Sequence, residues 1–279
     1  MSAFPAFRFF LPLLLTQLPL SPLWAQVARP APDTATRPVA SATAPEVALA
    51  ATGLDCHHPF GLTDNNERVY RLTTANGKPD GEVRMRVVSL SSEMNKKKTV
   101  ETHKVLLKSG HYDPKNRLLN MQDLTISCRQ DTSFVDGMSE FKPESIRSFR
   151  DRKFAYTPVA LGWPHQPSVG SELPAGGSQV EVSSSVVDIA RVSSMVRKRK
   201  VVSGPAPVQT PAGTFSCYKV ESEHEDATQA RKDIVMRTTY KVVDYYSPTM
   251  GIVKTEVYDK KGKLSQTRTL AVVNSGQGQ

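Results

Sequence analysis

Six histidines are the side chains of this chain best suited to act as general bases, but they are scattered through the sequence: His57, His58, His103, His111, His165 and His224. Nucleophilic catalysis needs a nucleophile, a base and an orienting group that converge in space. No G-x-S-x-G motif is present, and no histidine has a spacing that identifies it as a base. We therefore expect no catalytic residue, no cofactor and a protein that is not an enzyme.

Two short segments place potential metal ligands next to one another. Successive residues of a strand point to opposite faces, so a strand could not bring all of Glu223-His224-Glu225-Asp226 together, although a loop could. A solvated hairpin tip is the favoured interpretation of that segment. The pair His57-His58 follows Cys56, which is unsuitable as a ligand once oxidised. Since no H-E-x-x-H or paired C-x-x-C motif occurs, we expect no metal site.

Two basic runs stand out in a chain of formal net charge +9. Lys96-Lys97-Lys98 is predicted to be a turn between strands. Arg197-Lys198-Arg199-Lys200 is interpreted as an edge strand, where lysines discourage aggregation. Contact with anionic headgroups or polysaccharide is the functional alternative. Neither run has the aromatic side chains on which bases stack, so no nucleic-acid partner is expected.

The N-terminal segment predicts export. Phe9 to Leu20 is an apolar run with the length of a signal peptide's hydrophobic region, and Ala25 could be the last residue removed. The alternative, a buried helix, is opposed by the prolines within the run. Residues 26–53 are rich in alanine, hold four prolines and lack aromatic residues, which predicts a disordered stem. No cysteine lies at the cleavage site and no later run is apolar enough to span a membrane, so we expect a periplasmic or secreted protein without a lipid or transmembrane anchor.

Three cysteines are therefore expected to meet oxidising conditions. Cys56 lies at the start of the predicted domain, where a disulfide to Cys128 would hold the end of the stem. Cys217 lies within a patterned strand and is interpreted as a buried free thiol. Because spacing does not determine connectivity, a bridge that includes Cys217 and three free thiols both remain alternatives.

Alternation of apolar and polar residues dominates residues 54–273, the predicted domain, with 274–279 as a flexible tail. This period-2 pattern indicates half-buried strands of an antiparallel sheet. The residues that share a face in each pattern are Val83, Met85 and Val87; Val100, Thr102 and Leu106; Ile234, Met236, Thr238, Tyr240 and Val242; and Val253, Thr255 and Val257.

Turn residues separate these strands at Asn76–Gly81, Asp113–Asn116 and Asp259–Gly262. One short helix is predicted to begin at Pro143, and the proline-rich segment Tyr156–Gly177 is predicted to cross the sheet as a long loop anchored by Trp163. The fold class is thus mostly β: a single antiparallel curved sheet or open barrel with one short helix and a long crossing loop.

Three stretches resemble a known family: Pro211–Val220, Tyr245–Lys254 and Gly170–Pro174. They are similar to the TapB-like family of uncharacterised exported bacterial proteins, over most of residues 54–273. The resemblance implies a periplasmic or outer-membrane-associated β domain like the open, curved sheet of LolA-type lipoprotein carriers. It implies no catalytic residue.

Two functions follow as hypotheses. A non-enzymatic binding or carrier protein would hold a lipid or another apolar ligand on the concave face of the sheet. Its candidate lining residues are Met85, Val87, Ile146, Phe149, Trp163, Met236 and Tyr240, although the same residues could form a filled core. An envelope structural or assembly protein, with exposed edges and basic strips that contact a protein partner, is the alternative.

Overall fold

The alternating segments assemble into one antiparallel sheet. The computed structural model describes residues 56–149, 151–231 and 233–275. The fourteen strands of those residues are β1 (Glu67–Thr74), β2 (Pro79–Met94), β3 (Glu101–Tyr112), β4 (Leu118–Arg129), β5 (Thr132–Val135), β6 (Lys153–Val159), β7 (Leu161–Pro164), β8 (Glu172–Leu173), β9 (Gly176–Ser183), β10 (Asp188–Thr210), β11 (Gly213–Arg231), β12 (Ile234–Ser247), β13 (Gly251–Tyr258) and β14 (Leu264–Asn274). The predicted fold class is confirmed.

The order of the strands brings the two ends of the sheet together. Neighbours follow the order β6-β9-β10-β11-β12-β13-β14-β1-β2-β3-β4-β5-β7, with β8 paired to β10. The edge strands β6 and β7 are consecutive in the chain and are separated only by Ala160. One continuous segment therefore pairs with β9 and then with β5, and the sheet becomes a nearly closed barrel. The remaining seam lies along the edge of β7 that pairs with no other strand of the described residues.

The predicted turns at Asp113–Asn116 and Asp259–Gly262 are confirmed, and the one predicted at Asn76–Gly81 is shorter, because β2 already begins at Pro79. The Oδ1 atom of Asp113 accepts hydrogen bonds from the backbone N–H groups of Lys115 and Arg117, at 2.9 and 2.8 Å, between β3 and β4. Gly262 adopts a positive φ of 74° between β13 and β14, as a hairpin loop requires. The three lysines at 96–98 lie in the turn between β2 and β3.

Short helical turns pack against the barrel. The described residues contain 3-10 helices at Pro59–Gly61, Gly137–Glu140 and Pro143–Phe149, and the last begins at the predicted proline. A side chain at Gly137 would collide with the carbonyl oxygens of Gly177 and Val159, so glycine permits close packing there. The prediction that Tyr156–Gly177 is a long loop crossing the sheet is only partly right, because the segment holds the end of β6, all of β7 and β8 and the start of β9, which belong to the sheet itself. Its Trp163 is buried as predicted.

The core consists of three groups of buried side chains. The largest surrounds Trp163 and Tyr246, whose ring centroids are 4.8 Å apart, and includes Leu107 and Ile126. The buried face of β3 is formed by Val105 and Leu107, so Thr102 and Leu106, which share a face as predicted, lie on the opposite and more exposed face. A one-residue shift exchanges the two faces of a strand.

The run Arg197–Lys200 is not at an edge, so the edge-strand prediction is wrong. It lies in β10, which pairs with β11 on one side and with β8 and β9 on the other. The register shifts between Arg197 and Lys200, and Lys198 has a φ of 50°, which together define a bulge. The bulge directs Arg199 inward, where it is only 1% exposed.

The predicted signal peptide (1–25) and stem (26–53) lie outside the described residues, as do residues 276–279 of the predicted tail. The first tail residue, Asn274, ends β14 and pairs with Glu67. Among the described residues, no helix has the length and apolar character needed to cross a membrane.

Candidate ligand-binding cavity

The barrel surrounds a partly open cavity of about 320 Å³. Strands whose inward residues alternate with outward polar residues form its walls, which is why the period-2 pattern of the sequence creates an apolar interior. The volume is at the lower end of the about 300–1,000 Å³ typical of small-molecule sites. Space for a small apolar ligand is therefore present inside the sheet.

Apolar side chains from several strands form most of the wall. Met85 of β2 and Leu107 of β3 line one side with Leu124 and Ile126 of β4, and Val257 of β13 contributes from farther around the barrel. Met85 is half-buried, whereas Leu107 is almost fully buried. This part of the cavity offers contacts to hydrocarbon.

Arg199 connects the cavity to the seam. Its Nη1 donates to the carbonyl oxygens of Gly162 in β7 and Pro174 before β9, at 3.0 and 2.8 Å, and its guanidinium lies 4.4 Å from the Trp163 ring centroid. Burial lowers the pKa of Arg199 to about 10. Its Nη2 is buried without a hydrogen-bond partner. The side chain thus bridges the unpaired edge and leaves a donor unused.

A second polar group lies on β12, β13 and β14. Thr255 donates its hydroxyl proton to Oδ1 of Asp244 at 2.7 Å, and the Nη2 of Arg268 donates to the Thr255 oxygen at 3.2 Å. Burial raises the pKa of Asp244, and the hydrogen bond from Thr255 opposes that shift. The Nε of Arg268 is buried and has no partner.

His224 and Glu140 complete the polar region. The Nδ1 of His224 lies 3.5 Å from a carboxylate oxygen of Glu140, while its Nε2 is buried without a partner. The His224 ring also lies against Tyr240, with centroids 5.3 Å apart. Lys142 contacts the Tyr240 hydroxyl at 3.1 Å and Asp226 at 2.6 Å, so this lysine is already paired.

Arg68 is the third arginine of the cavity wall. It donates to the carbonyl oxygens of Met250 and Phe60, and burial lowers its pKa. These bonds connect β1 to the segment before β13 and to the first helical turn. Arg68 therefore holds structure together as well as adding positive charge to the interior.

The predicted lining residues occupy four kinds of position: the cavity wall, the adjacent core, a separate buried group and the exposed surface. Met85, Trp163 and Tyr240 line the cavity, and Val87 belongs to the adjacent core. Ile146 and Phe149 pack instead against the separate buried group that contains Val180 and Val182.

Met236 is 65% exposed, because the stretch of β12 from Ile234 to Tyr240 pairs with β11 but extends beyond β13. The alternating pattern predicts that Met236 faces inward, but β12 extends beyond the barrel at this position.

The two predicted disulfide partners, Cys56 and Cys128, are bonded to each other, with Cα atoms 5.1 Å apart. Their sulfur atoms and a ring nitrogen of His165 lie within 4.8 Å of one another, the geometry of a potential metal site. Sulfur in a disulfide is not the thiolate that such metals bind, so this group supports no metal site in the oxidised protein. Cys217 is buried and free.

Sequence reasoning missed the polar groups of the cavity. Extending the pattern that includes Tyr240 and Val242 by one more step would have placed Asp244 inside the barrel. No such signal exists for Arg199, because the bulge interrupts the alternation that would have identified it. Arg68 of β1 and Arg268 of β14 each lie two residues before a buried apolar residue, Tyr70 and Leu270 respectively. Neither arginine was predicted to face the interior.

Known proteins resemble this chain in fold. A candidate lipoprotein from Parabacteroides distasonis ATCC 8503 aligns with a TM-score of 0.61 at 21% identity, over 79% of this chain and 100% of the other. A candidate exported protein with a YmcC-like fold from Bacteroides fragilis NCTC 9343 aligns with a TM-score of 0.58 at 18% identity, over 76% of this chain and 97% of the other. At these identities the likeness shows the fold alone.

No curated protein matches the sequence. The TapB-like resemblance and the likeness to LolA-type carriers stay predictions. The model of one family matches residues 65–270, which is most of the chain. The protein belongs to the DUF3108-like family.

Proposed function

We propose that this protein is a non-enzymatic binding or carrier protein of the bacterial periplasm or cell envelope that holds a lipid or another apolar ligand. The observation that carries the proposal is the cavity of about 320 Å³ with largely apolar walls inside a nearly closed barrel. The N-terminal leader of the sequence supports an exported location. The descriptions of the two similar structures, a candidate lipoprotein and a candidate exported protein, agree with that location.

The size of the cavity limits the ligand. If each group takes roughly 30 Å³, the share of one water molecule in the liquid, the cavity holds about ten such groups. If two of these positions hold a polar end of the ligand, burial of the other eight as methylenes contributes roughly 6 kcal/mol, at about 0.8 kcal/mol each. Association costs on the order of 4–15 kcal/mol, so hydrocarbon alone gives weak binding. The cavity therefore has room for a single short hydrocarbon chain or for one segment of a larger lipid.

The test is titration of the full chain with N-phenyl-1-naphthylamine, a neutral apolar dye whose fluorescence rises in apolar surroundings. Met85→Trp adds bulk at the cavity wall, whereas Met236→Trp makes the same change at an exposed position. We expect wild type and Met236→Trp to bind the dye equally and Met85→Trp to lose most binding. Equal binding by all three, with circular dichroism unchanged, would place the dye outside the cavity and contradict the proposal.

A second candidate function, assembly with an envelope protein, is favoured by the outer part of β12. Among the described residues, no strand pairs with 234–240 on the side where β13 pairs farther along, and Ile234, Val235 and Met236 are exposed there. An unpaired strand edge with apolar side chains can accept a strand from another protein. Crosslinking in cells tests this function: one defined partner that is lost in Met236→Lys supports it, and a protein without crosslinks contradicts it.

A further inference from the structure

Three arginines line a cavity whose walls are otherwise largely apolar: Arg68, Arg199 and Arg268. Their hydrogen bonds go to backbone carbonyl groups and to the hydroxyl of Thr255, not to carboxylates. Arg68 and Arg199 are almost fully buried, with 4% and 1% of their surfaces exposed. Burial of a cation is costly unless an anion or full hydrogen bonding compensates for the lost water.

The compensation within the described residues is incomplete. Buried nitrogen atoms of all three arginines lack a hydrogen-bond partner: Nε of Arg68, Nη2 of Arg199 and Nε of Arg268. The Nε2 of His224 is also buried and unpartnered, and this residue lines the same cavity. Buried donors in proteins are normally satisfied, and exceptions point to a strained or functional position.

The net charge of the cavity wall also indicates that its positive charge is incompletely compensated. The acids that line the cavity are Glu140 and Asp244, so three guanidinium groups face two carboxyl groups. Burial raises the pKa of Asp244, which moves the balance further toward positive charge. Glu140 already lies against His224. An interior that is apolar along one side and cationic along another is complementary to a molecule with both characters.

We propose that the ligand is a single-chain amphiphile with an anionic head group, a carboxylate or a phosphate, bound by Arg199, Arg268 and His224 while its hydrocarbon chain lies among Leu107, Leu124 and Ile126. This inference rests on the proposed function and names its ligand class. The planar fork of a guanidinium matches the oxygen pairs of carboxylate and phosphate groups. The head group also supplies the binding energy that about eight buried methylenes lack on their own.

Calorimetric titration of the delipidated full chain with dodecanoate, dodecyl phosphate and dodecanol tests the inference, because these probes share a chain and differ in the head group. We expect at least one anion to bind about tenfold or more tighter than dodecanol, as charge-assisted hydrogen bonds to a buried guanidinium imply. The tighter of the two anions identifies the head group as carboxylate or phosphate.

Arg268→Gln is expected to remove most of that preference, so that the favoured anion binds at most a few-fold tighter than dodecanol. Arg237→Gln, at an exposed position of β12, is the matched control and should behave as wild type. Equal affinity of wild type for all three probes would overturn the head-group inference and leave the proposed function standing. Failure of all three to bind would contradict both. The wild-type comparison needs no variant, so a folding defect in Arg268→Gln would not remove the test.

Discussion

Replacement of Arg199 by methionine, a side chain of similar length without charge, tests how the barrel closes. The arginine donates to Gly162 on the unpaired edge of β7 and to Pro174, at 3.0 and 2.8 Å. Two charge-assisted hydrogen bonds contribute about 1.5–3 kcal/mol each. The contact with the Trp163 ring adds about 2 kcal/mol in a desolvated site.

The cost of burying the charge opposes these contributions. The fall of the Arg199 pKa from 12.5 to about 10 corresponds to about 3 kcal/mol. We therefore expect Arg199→Met to lower the free energy of unfolding by roughly 2–5 kcal/mol. The loss should be accompanied by faster amide hydrogen exchange in β7, because the seam has lost its side-chain bridge.

Equilibrium urea unfolding, followed by circular dichroism, measures this change. Arg197→Met is the matched control: Arg197 is exposed on the same strand and pairs with Glu225 at 3.4 Å, so its loss should cost less than about 1 kcal/mol. Similar midpoints for wild type, Arg197→Met and Arg199→Met would refute the role of Arg199 in closing the barrel.

Three further predictions concern buried titratable groups and the disulfide. Burial makes the pKa of Asp244 higher in the folded protein than in the unfolded chain, where it is 3.8. Ionisation of this group therefore lowers the free energy of unfolding as the pH rises from 3.8 through the raised pKa. Asp244→Asn should therefore be more stable than wild type at pH 7 and about equal at pH 3, in urea unfolding at both; a less stable variant at pH 7 would contradict this sign. Burial raises the pKa of Cys217 to about 12, so iodoacetamide at pH 8 should leave it unmodified in the native protein and alkylate it in urea, as mass spectrometry would show. Reduction of Cys56–Cys128, which joins positions 72 residues apart, should lower the free energy of unfolding by about 2–4 kcal/mol, measured with and without dithiothreitol; unchanged stability would show that the bridge does not constrain the chain.

Much of the fold could be predicted because local chemistry determines it. Alternation in β2 and β13 requires one apolar face, and Asp113 and Gly262 form the turns that their residue types favour. Pro143 begins the short helix for the same local reason. Features that depend on one residue or a few neighbouring residues can be predicted directly from the sequence.

The cavity was harder to predict because it depends on register and on long-range pairing. A bulge at Lys198 converts part of an exposed basic run into a buried arginine. The stretch around Met236 has the same alternation as an inward-facing strand, yet no neighbour covers it. At Ala160 the chain passes from β6, which pairs with β9, to β7, which pairs with β5. This passage closes the barrel by joining strands from distant parts of the chain, and no local pattern encodes it.

Native mass spectrometry of the full chain, isolated gently from the cells that produce it, tests the central claim most directly. We expect wild type and Met236→Trp to carry one small amphiphilic molecule per chain, and Met85→Trp to carry none. Organic extraction followed by mass spectrometry would then identify the chain and its head group. Wild-type protein that emerges bare, and that takes up no added amphiphile, would contradict the claim that the barrel is a ligand-binding site.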